Sequence, residues 1–123
     1  MIDTSALIAY VNHEPGGERV PVMSGDAVIS TVNYAETVSV MTTRGLSRDE
    51  VREQLSAIVL EVVDFDEETA EAAGLLIKKT KRFGLSLGDR ACLAAAQRER
   101  IPVMTADRSW GGLGLELDIQ FIR

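Results

Sequence analysis

The chain has 123 residues, with 13 Lys and Arg against 19 Asp and Glu, a formal charge of −6, 46% apolar residues and 26% charged ones. Those proportions suit a single globular domain over residues 1–123 that buries roughly two thirds of its unfolded surface, and they exclude a disordered chain. Its longest apolar runs, Ala6 to Val11 and Ala91 to Ala96, are too short to span a bilayer. An acidic balance also excludes nucleic-acid binding by bulk positive charge, so any chemistry on nucleic acid needs a cation. The start, Met1-Ile2-Asp3-Thr4-Ser5, has no basic leader, and the lone Cys92 cannot form an internal disulfide. A reducing, cytoplasmic setting is expected.

Met1 to Asp3 reads as the end of a short strand and Ser5 to Val11 as a helical turn or two, followed by the loop His13-Glu14-Pro15-Gly16-Gly17. A weak second helix is expected next, limited by Pro21. Ala27 to Ser30 is a short apolar strand, with Thr31 as the N-cap of a helix reaching about Arg44 and Gly45 as its stop. Ser47 and Glu50 form a capping box, and Val51, Leu55, Ile58 and Val59 repeat on one face of the helix behind it. Leu60 to Phe65 is a strand. Asp66 opens a helix whose Ala70, Ala73, Leu76 and Ile77 share a face and whose basic end, Lys78 to Arg82, precedes Gly84. Ser86 and Asp89 cap an Ala-rich helix to about Arg98. Pro102 to Thr105 and Leu117 to Ile122 complete the strands. Strands alternating with helices imply an α/β fold, a mainly parallel sheet with helices on both faces.

Ligands of such sheets bind beyond the carboxyl ends of the strands. Four acids fall at strand ends or helix starts: Asp3, Glu36, Asp89 and Asp107, separated by 33, 53 and 18 residues. Spacing alone leaves open which edge of the sheet the two helical acids face. Two unit charges about 4 Å apart repel by on the order of 4 kcal/mol at an effective dielectric near 20, so a cluster of four needs protons or a metal. All-oxygen donors suit Mg²⁺ or Mn²⁺ rather than zinc. Hard ions on carboxylates go with phosphoryl or phosphodiester displacement by an activated water.

Four segments then carry a resemblance. Met1-Ile2-Asp3-Thr4-Ser5-Ala6-Leu7, Ser30-Thr31-Val32-Asn33-Tyr34-Ala35-Glu36, Leu85-Ser86-Leu87-Gly88-Asp89-Arg90-Ala91-Cys92-Leu93-Ala94 and Pro102-Val103-Met104-Thr105-Ala106-Asp107 resemble the four acidic motifs of PIN-domain ribonucleases, specifically VapC toxins of type II toxin–antitoxin modules. The resemblance spans essentially the whole chain. It implies a three-layer α/β/α fold and a Mg²⁺- or Mn²⁺-dependent endoribonuclease acting on RNA. It also implies a homodimer, silenced by a cognate antitoxin that lays a peptide across the active-site groove. Asp3, Glu36, Asp89 and Asp107 would be metal-binding acids, and Ser5 and Thr105 would supply hydroxyls that orient a carboxylate or a water. The chain departs from the family in having only Met1 and Ile2 before the first aspartate, and in placing Pro21 within a helix that is regular in the family.

Each residue also has a plainer role. Asp3 and Asp89 suit helix or turn capping, Glu36 a solvated helix face, and Asp107 a turn or an Arg108 pair. The lone His13, in a Gly- and Pro-rich loop, excludes a histidine acid–base pair. Cys92 among alanines reads as core, and Trp110 as an aromatic closing a Gly-rich loop. Arg90 and Arg108 adjoin proposed metal ligands and are candidates for contact with the scissile strand; Lys78, Lys79, Lys81 and Arg82 either extend an RNA path or serve the helix dipole. A different class of function, a non-catalytic interaction module whose acidic pocket docks a basic partner segment, is compatible with the same acids. A small-molecule phosphatase lacks its usual Asp-x-Asp nucleophile motif, since Thr4 and Ser5 follow Asp3.

Overall fold

The computed structural model describes residues 1–58 and 60–123. Its helices are α1 (Thr4–Val11), α2 (Thr31–Thr43), α3 (Arg48–Ser56), α4 (Glu67–Leu75), α5 (Ile77–Thr80) and α6 (Leu87–Glu99). The strands are β1 (Ala27–Ser30), β2 (Leu60–Val63), β3 (Val103–Thr105) and β4 (Ile119–Phe121). β1 pairs with β2, and β3 with β4, both in parallel. The first residues join the two pairs. Ile2 N–H donates to Val28 O at 2.7 Å, Asp3 N–H to Met104 O at 3.0 Å, and Met104 N–H to Met1 O at 2.9 Å. The layer therefore runs β2, β1, Met1 to Asp3, β3, β4. The expected first strand is reduced to a single parallel bridge, Ile2 to Met104, because Asp3 already turns the chain into α1 as its N-cap.

Alternation along these short segments sends side chains to opposite faces. Ile2, Ala27 and Ile29 enter one apolar cluster with Leu7 of α1, Met41 of α2, and Val51 and Leu55 of α3. Met1 and Val103 enter another with Ala73 of α4 and the Ala-rich face of α6, and Val28 packs against it. Helices thus cover both faces, as the alternating pattern predicts. Cys92 is fully buried in the second cluster, and Trp110, 1% exposed, closes it.

Local expectations fare unevenly. Both capping boxes form, Ser47 with Glu50 and Ser86 with Asp89. The N-cap of α2 is Ser30 rather than Thr31: the Ser30 hydroxyl accepts from Asn33 N–H at 3.1 Å, and the backbone is still extended at that residue. No second helix forms around Pro21; a single 3₁₀ turn, Gly17–Arg19, precedes it, and proline's missing N–H leaves nothing to propagate. The helix expected from Asp66 to the basic run is broken at Leu76 into α4, α5 and a 3₁₀ turn at Lys81–Phe83. Gly74 weakens that stretch, and the Ala73 carbonyl accepts from the Arg90 guanidinium at 3.2 Å. After the break Ile77 faces solvent instead of sharing the buried face of Ala73 and Leu76. Val59, assigned above to the face of α3, lies outside the described residues.

Candidate active site

Because the strands are parallel, the ends at Asp3, Ser30 and Thr105 share one edge of the sheet, and α1 and α2 leave directly from it. The start of α6 faces the same edge. Asp3, Glu36, Asp89 and Asp107 line a single cleft of about 900 Å³ there, together with Thr4 and Ser5. Four acids scattered through the chain therefore converge.

Asp3 is 2% exposed. Its Oδ2 accepts from the Ser5 hydroxyl at 2.5 Å, Ser5 N–H at 3.2 Å and the Thr105 hydroxyl at 3.0 Å. Burial pushes this carboxyl up to about 6, the negative charge of Asp89 adds to the rise, and the Ser5 and Thr105 hydrogen bonds pull it back. Ser5 Oγ also accepts from Ala106 N–H at 2.9 Å, and Thr105 Oγ1 from Asp107 N–H at 3.0 Å. The two hydroxyls named from sequence thus tie Asp3 to the loop carrying Asp107.

Glu36 is held differently. Its Oε2 accepts from the Thr4 hydroxyl at 2.7 Å and from Asn33 Nδ2 at 3.3 Å. Asn33 is fully buried and also donates to Gly88 O at 3.2 Å, linking α2 to the first turn of α6. Gly88 is required by this contact, since a Cβ there would overlap the Glu36 carboxylate. Thr4, Asn33 and Gly88 received no role from sequence. All three lie inside the quoted motifs, and Asn33 sits three residues before Glu36, which places both on one helix face.

The plainer readings hold alongside the convergence. Asp3 caps α1, Asp89 accepts from Ser86 N–H at 2.6 Å in its capping box, and Asp107 caps a 3₁₀ turn by accepting from Ser109 N–H at 2.8 Å. Each acid spends one oxygen on such partners. The other, Asp3 Oδ1, Glu36 Oε1, Asp89 Oδ1 or Asp107 Oδ2, has no hydrogen bond among the described residues. Four carboxylate oxygens without nitrogen or sulfur donors fit a hard divalent ion chemically. Their spacing is looser than a closed site: among the described residues, no three His, Cys, Asp or Glu side chains stand close enough to hold one ion.

The two flanking arginines are otherwise engaged. Arg90 donates to Ser86 O and Ala73 O, and Arg108 stacks on Phe121 at 5.2 Å from the ring centroid. The run Lys78 to Arg82 does not line the cleft; Arg44 does.

Among solved structures, the chain is similar to VapBC2 from Rickettsia felis bound to a DNA fragment from their promoter, with a TM-score of 0.75 and 17% identity over 98% of this chain and 96% of that one. DNA-bound VapBC from Salmonella typhimurium gives a TM-score of 0.69 and 20% identity over 100% and 97%. VapBC-5 from Mycobacterium tuberculosis gives 0.61 and 22% over 99% and 95%. At such identities the likeness is one of fold. No curated protein is significantly similar in sequence. The family model described as the PIN domain matches residues 1–113, nearly the whole chain and all four acids, and the chain belongs to the PIN domain family.

Proposed function

We propose that this protein is a divalent-metal-dependent endoribonuclease and the toxin of a toxin–antitoxin pair. The observation that carries the reading is the convergence of Asp3, Glu36, Asp89 and Asp107 on one cleft at the carboxyl edge of a parallel sheet. PIN domains generally use a divalent metal, and the unengaged oxygens of the four acids are the donors that would hold Mg²⁺ or Mn²⁺. When bound, such an ion lowers the pKa of a coordinated water and neutralises charge developing on the phosphorus. Ser5 and Thr105 fix the rotamer of Asp3; Thr4, Asn33 and Gly88 fix that of Glu36. Preset donors of this kind avoid reorganisation during the reaction.

The similarity to VapBC complexes supports an antitoxin partner, for which the cleft is our proposed docking site. Leu75, Ile77 and Leu87, exposed on the neighbouring α4, α5 and α6, suit burial between two copies of the chain. A second reading, a non-catalytic module docking a basic segment in the acidic cleft, is favoured by one observation: no three of the acids close on a single ion.

Cleavage of a labelled RNA panel in Mg²⁺ or Mn²⁺ by antitoxin-free protein decides between them. Specific cuts lost both with EDTA and in Asp89→Asn are the expected result. Partner binding that persists in EDTA, with no cleavage at any metal concentration, assigns the docking module instead.

A further inference from the structure

The cleft reaches well beyond the acids, and α2 forms its long wall. Val32, Glu36, Val40 and Arg44 follow one another at the i, i+4 spacing, Thr31, Ala35 and Ser39 form the adjacent row, and all line the cleft. At the start of this wall stands Phe65, the one aromatic side chain lining the cleft, half-buried and anchored by its N–H to the Thr31 hydroxyl at 3.1 Å. At the far end stands Arg44, the one cation lining it, at the C-cap of α2. Between them sits Glu36.

Arg44 differs from the arginines that hold the fold together. Arg19 donates to the Phe121 and Ile122 carbonyls, Arg90 to those of Ser86 and Ala73, Arg98 pairs with Asp66, and Arg123 with Glu14. The exposed Arg44 side chain makes no hydrogen bond or ion pair among the described residues. Standing at the far end of a cleft lined by four carboxylates, with Glu14 also within its electrostatic reach, this exposed guanidinium suits an anionic ligand that must enter an otherwise repulsive cleft.

Helix rise sets the scale: Glu36 lies about 7.5 Å along α2 from Thr31 and about 12 Å from Arg44. A stacked nucleic-acid strand advances ~3.4 Å per phosphate, so the longer interval spans about three nucleotides, and fewer if the strand is extended. The shorter one suits the neighbouring base.

We infer that single-stranded RNA runs along α2, with a base stacked on Phe65 on one side of the scissile phosphate and a phosphate two to four nucleotides away on the other side paired with Arg44. The track rests on the nuclease reading of the same acids, and it needs an unstacked base for Phe65 to receive, which a duplex does not offer.

The test is binding of a short fluorescein-labelled single-stranded RNA to the cleavage-inert Asp89→Asn protein, by anisotropy across a salt series. Substitutions Arg44→Gln, Phe65→Leu and, as a cation outside the cleft, Lys79→Gln are added to it. Arg44→Gln should weaken binding at low salt and lower the slope of log affinity against log salt by about one. Phe65→Leu should weaken binding roughly fivefold or more with the slope unchanged. Lys79→Gln should change neither, and duplex RNA of the same sequence should bind more weakly with no dependence on Phe65. Affinity and slope insensitive to both Arg44 and Phe65, or sensitive to Lys79 instead, overturn the track. Cleavage by the wild-type protein is scored separately. If RNA is cut while the two substitutions are silent, the track falls and the nuclease stands; if both binding signatures appear without cleavage by the wild type, the nuclease falls and the track stands.

Discussion

Replacing Asp3 by Asn should make the protein more stable at neutral pH in the absence of divalent ions. Asp3 is buried, and its folded-state pKa is raised from the usual 3.8 to about 6. For an acid shifted upward, the folded state prefers the proton. The stabilisation it contributes is fully present below pH 3.8 and is lost as pH rises through about 6. At about 1.36 kcal/mol per pH unit, the ionised carboxylate costs the folded state about 3 kcal/mol above that window. Asparagine removes the charge and keeps an oxygen able to accept from Ser5 and Thr105. Urea unfolding in EDTA, compared at about pH 7.5 and about pH 4, should show Asp3→Asn ahead by up to about 3 kcal/mol at the higher pH, with the gap closing at the lower. The comparison of variant with wild type matters because Glu14, Glu50 and Asp66 have lowered carboxyl pKa values and lose stability in the opposite direction, as pH falls. Mg²⁺ or Mn²⁺ should then raise the unfolding midpoint of the wild type more than that of the variant. An Asp3→Asn protein no more stable than wild type at about pH 7.5 would refute the buried-charge reasoning.

Gly88→Ala should abolish RNA cleavage by displacing the Glu36 carboxylate, while far-ultraviolet circular dichroism still reports α6 intact. Asp66→Ala removes the cap that accepts from Thr69 N–H at 2.9 Å and should lower the urea midpoint, with cleavage unchanged. Almost none of that loss belongs to the Arg98 pair, whose side chains are 45% and 42% exposed. Leu75→Glu should convert a dimer to a monomer in light scattering, and a wild-type protein already monomeric at the same concentration would remove the α4 to α6 face as a subunit contact.

The acids were legible in the sequence because local rules place them. An aspartate that ends a parallel strand must lie near the carboxyl edge of the sheet, so Asp3 and Asp107 could be located without knowing how the strands are ordered. Glu36 and Asp89 were less determined, since a helical position needs the packing of α2 against α6 to decide which way it faces, and α6 follows a helical turn rather than a strand. Of the partners of Glu36, only Asn33, one turn away on the same helix, had a sequence signal. Thr4 and Asn33 are 29 residues apart and meet only once α1 packs on α2; the demand for glycine at 88 comes from a side chain 52 residues away. The break at Leu76 was missed for a similar reason, because the carbonyl of Ala73 is claimed by Arg90, 17 residues further on. Helical periodicity carries no trace of such a competitor.

The distribution of buried polar groups gives the site a cost as well as a shape. Seven polar or charged residues are buried among the described residues, and four of them, Asp3, Ser30, Asn33 and Thr105, belong to the hydrogen-bonded network behind the acids. Of the other three, Thr37 donates to Asn33 O and Thr80 to Leu76 O within a turn of helix, while Thr69 donates to the Asp66 cap and accepts from Arg98. The network instead spans Asp3 to Thr105 and Thr4 to Asn33, and it keeps an ionisable carboxyl where burial opposes its charge. A fold selected for stability alone would place an asparagine at position 3, keeping the cap of α1 without the buried charge. A carboxylate there, with three donors on one oxygen and none on the other, beside Glu36, Asp89 and Asp107 in one cleft, carries a burial cost that the proposed metal-binding role would offset and the helix cap alone does not require.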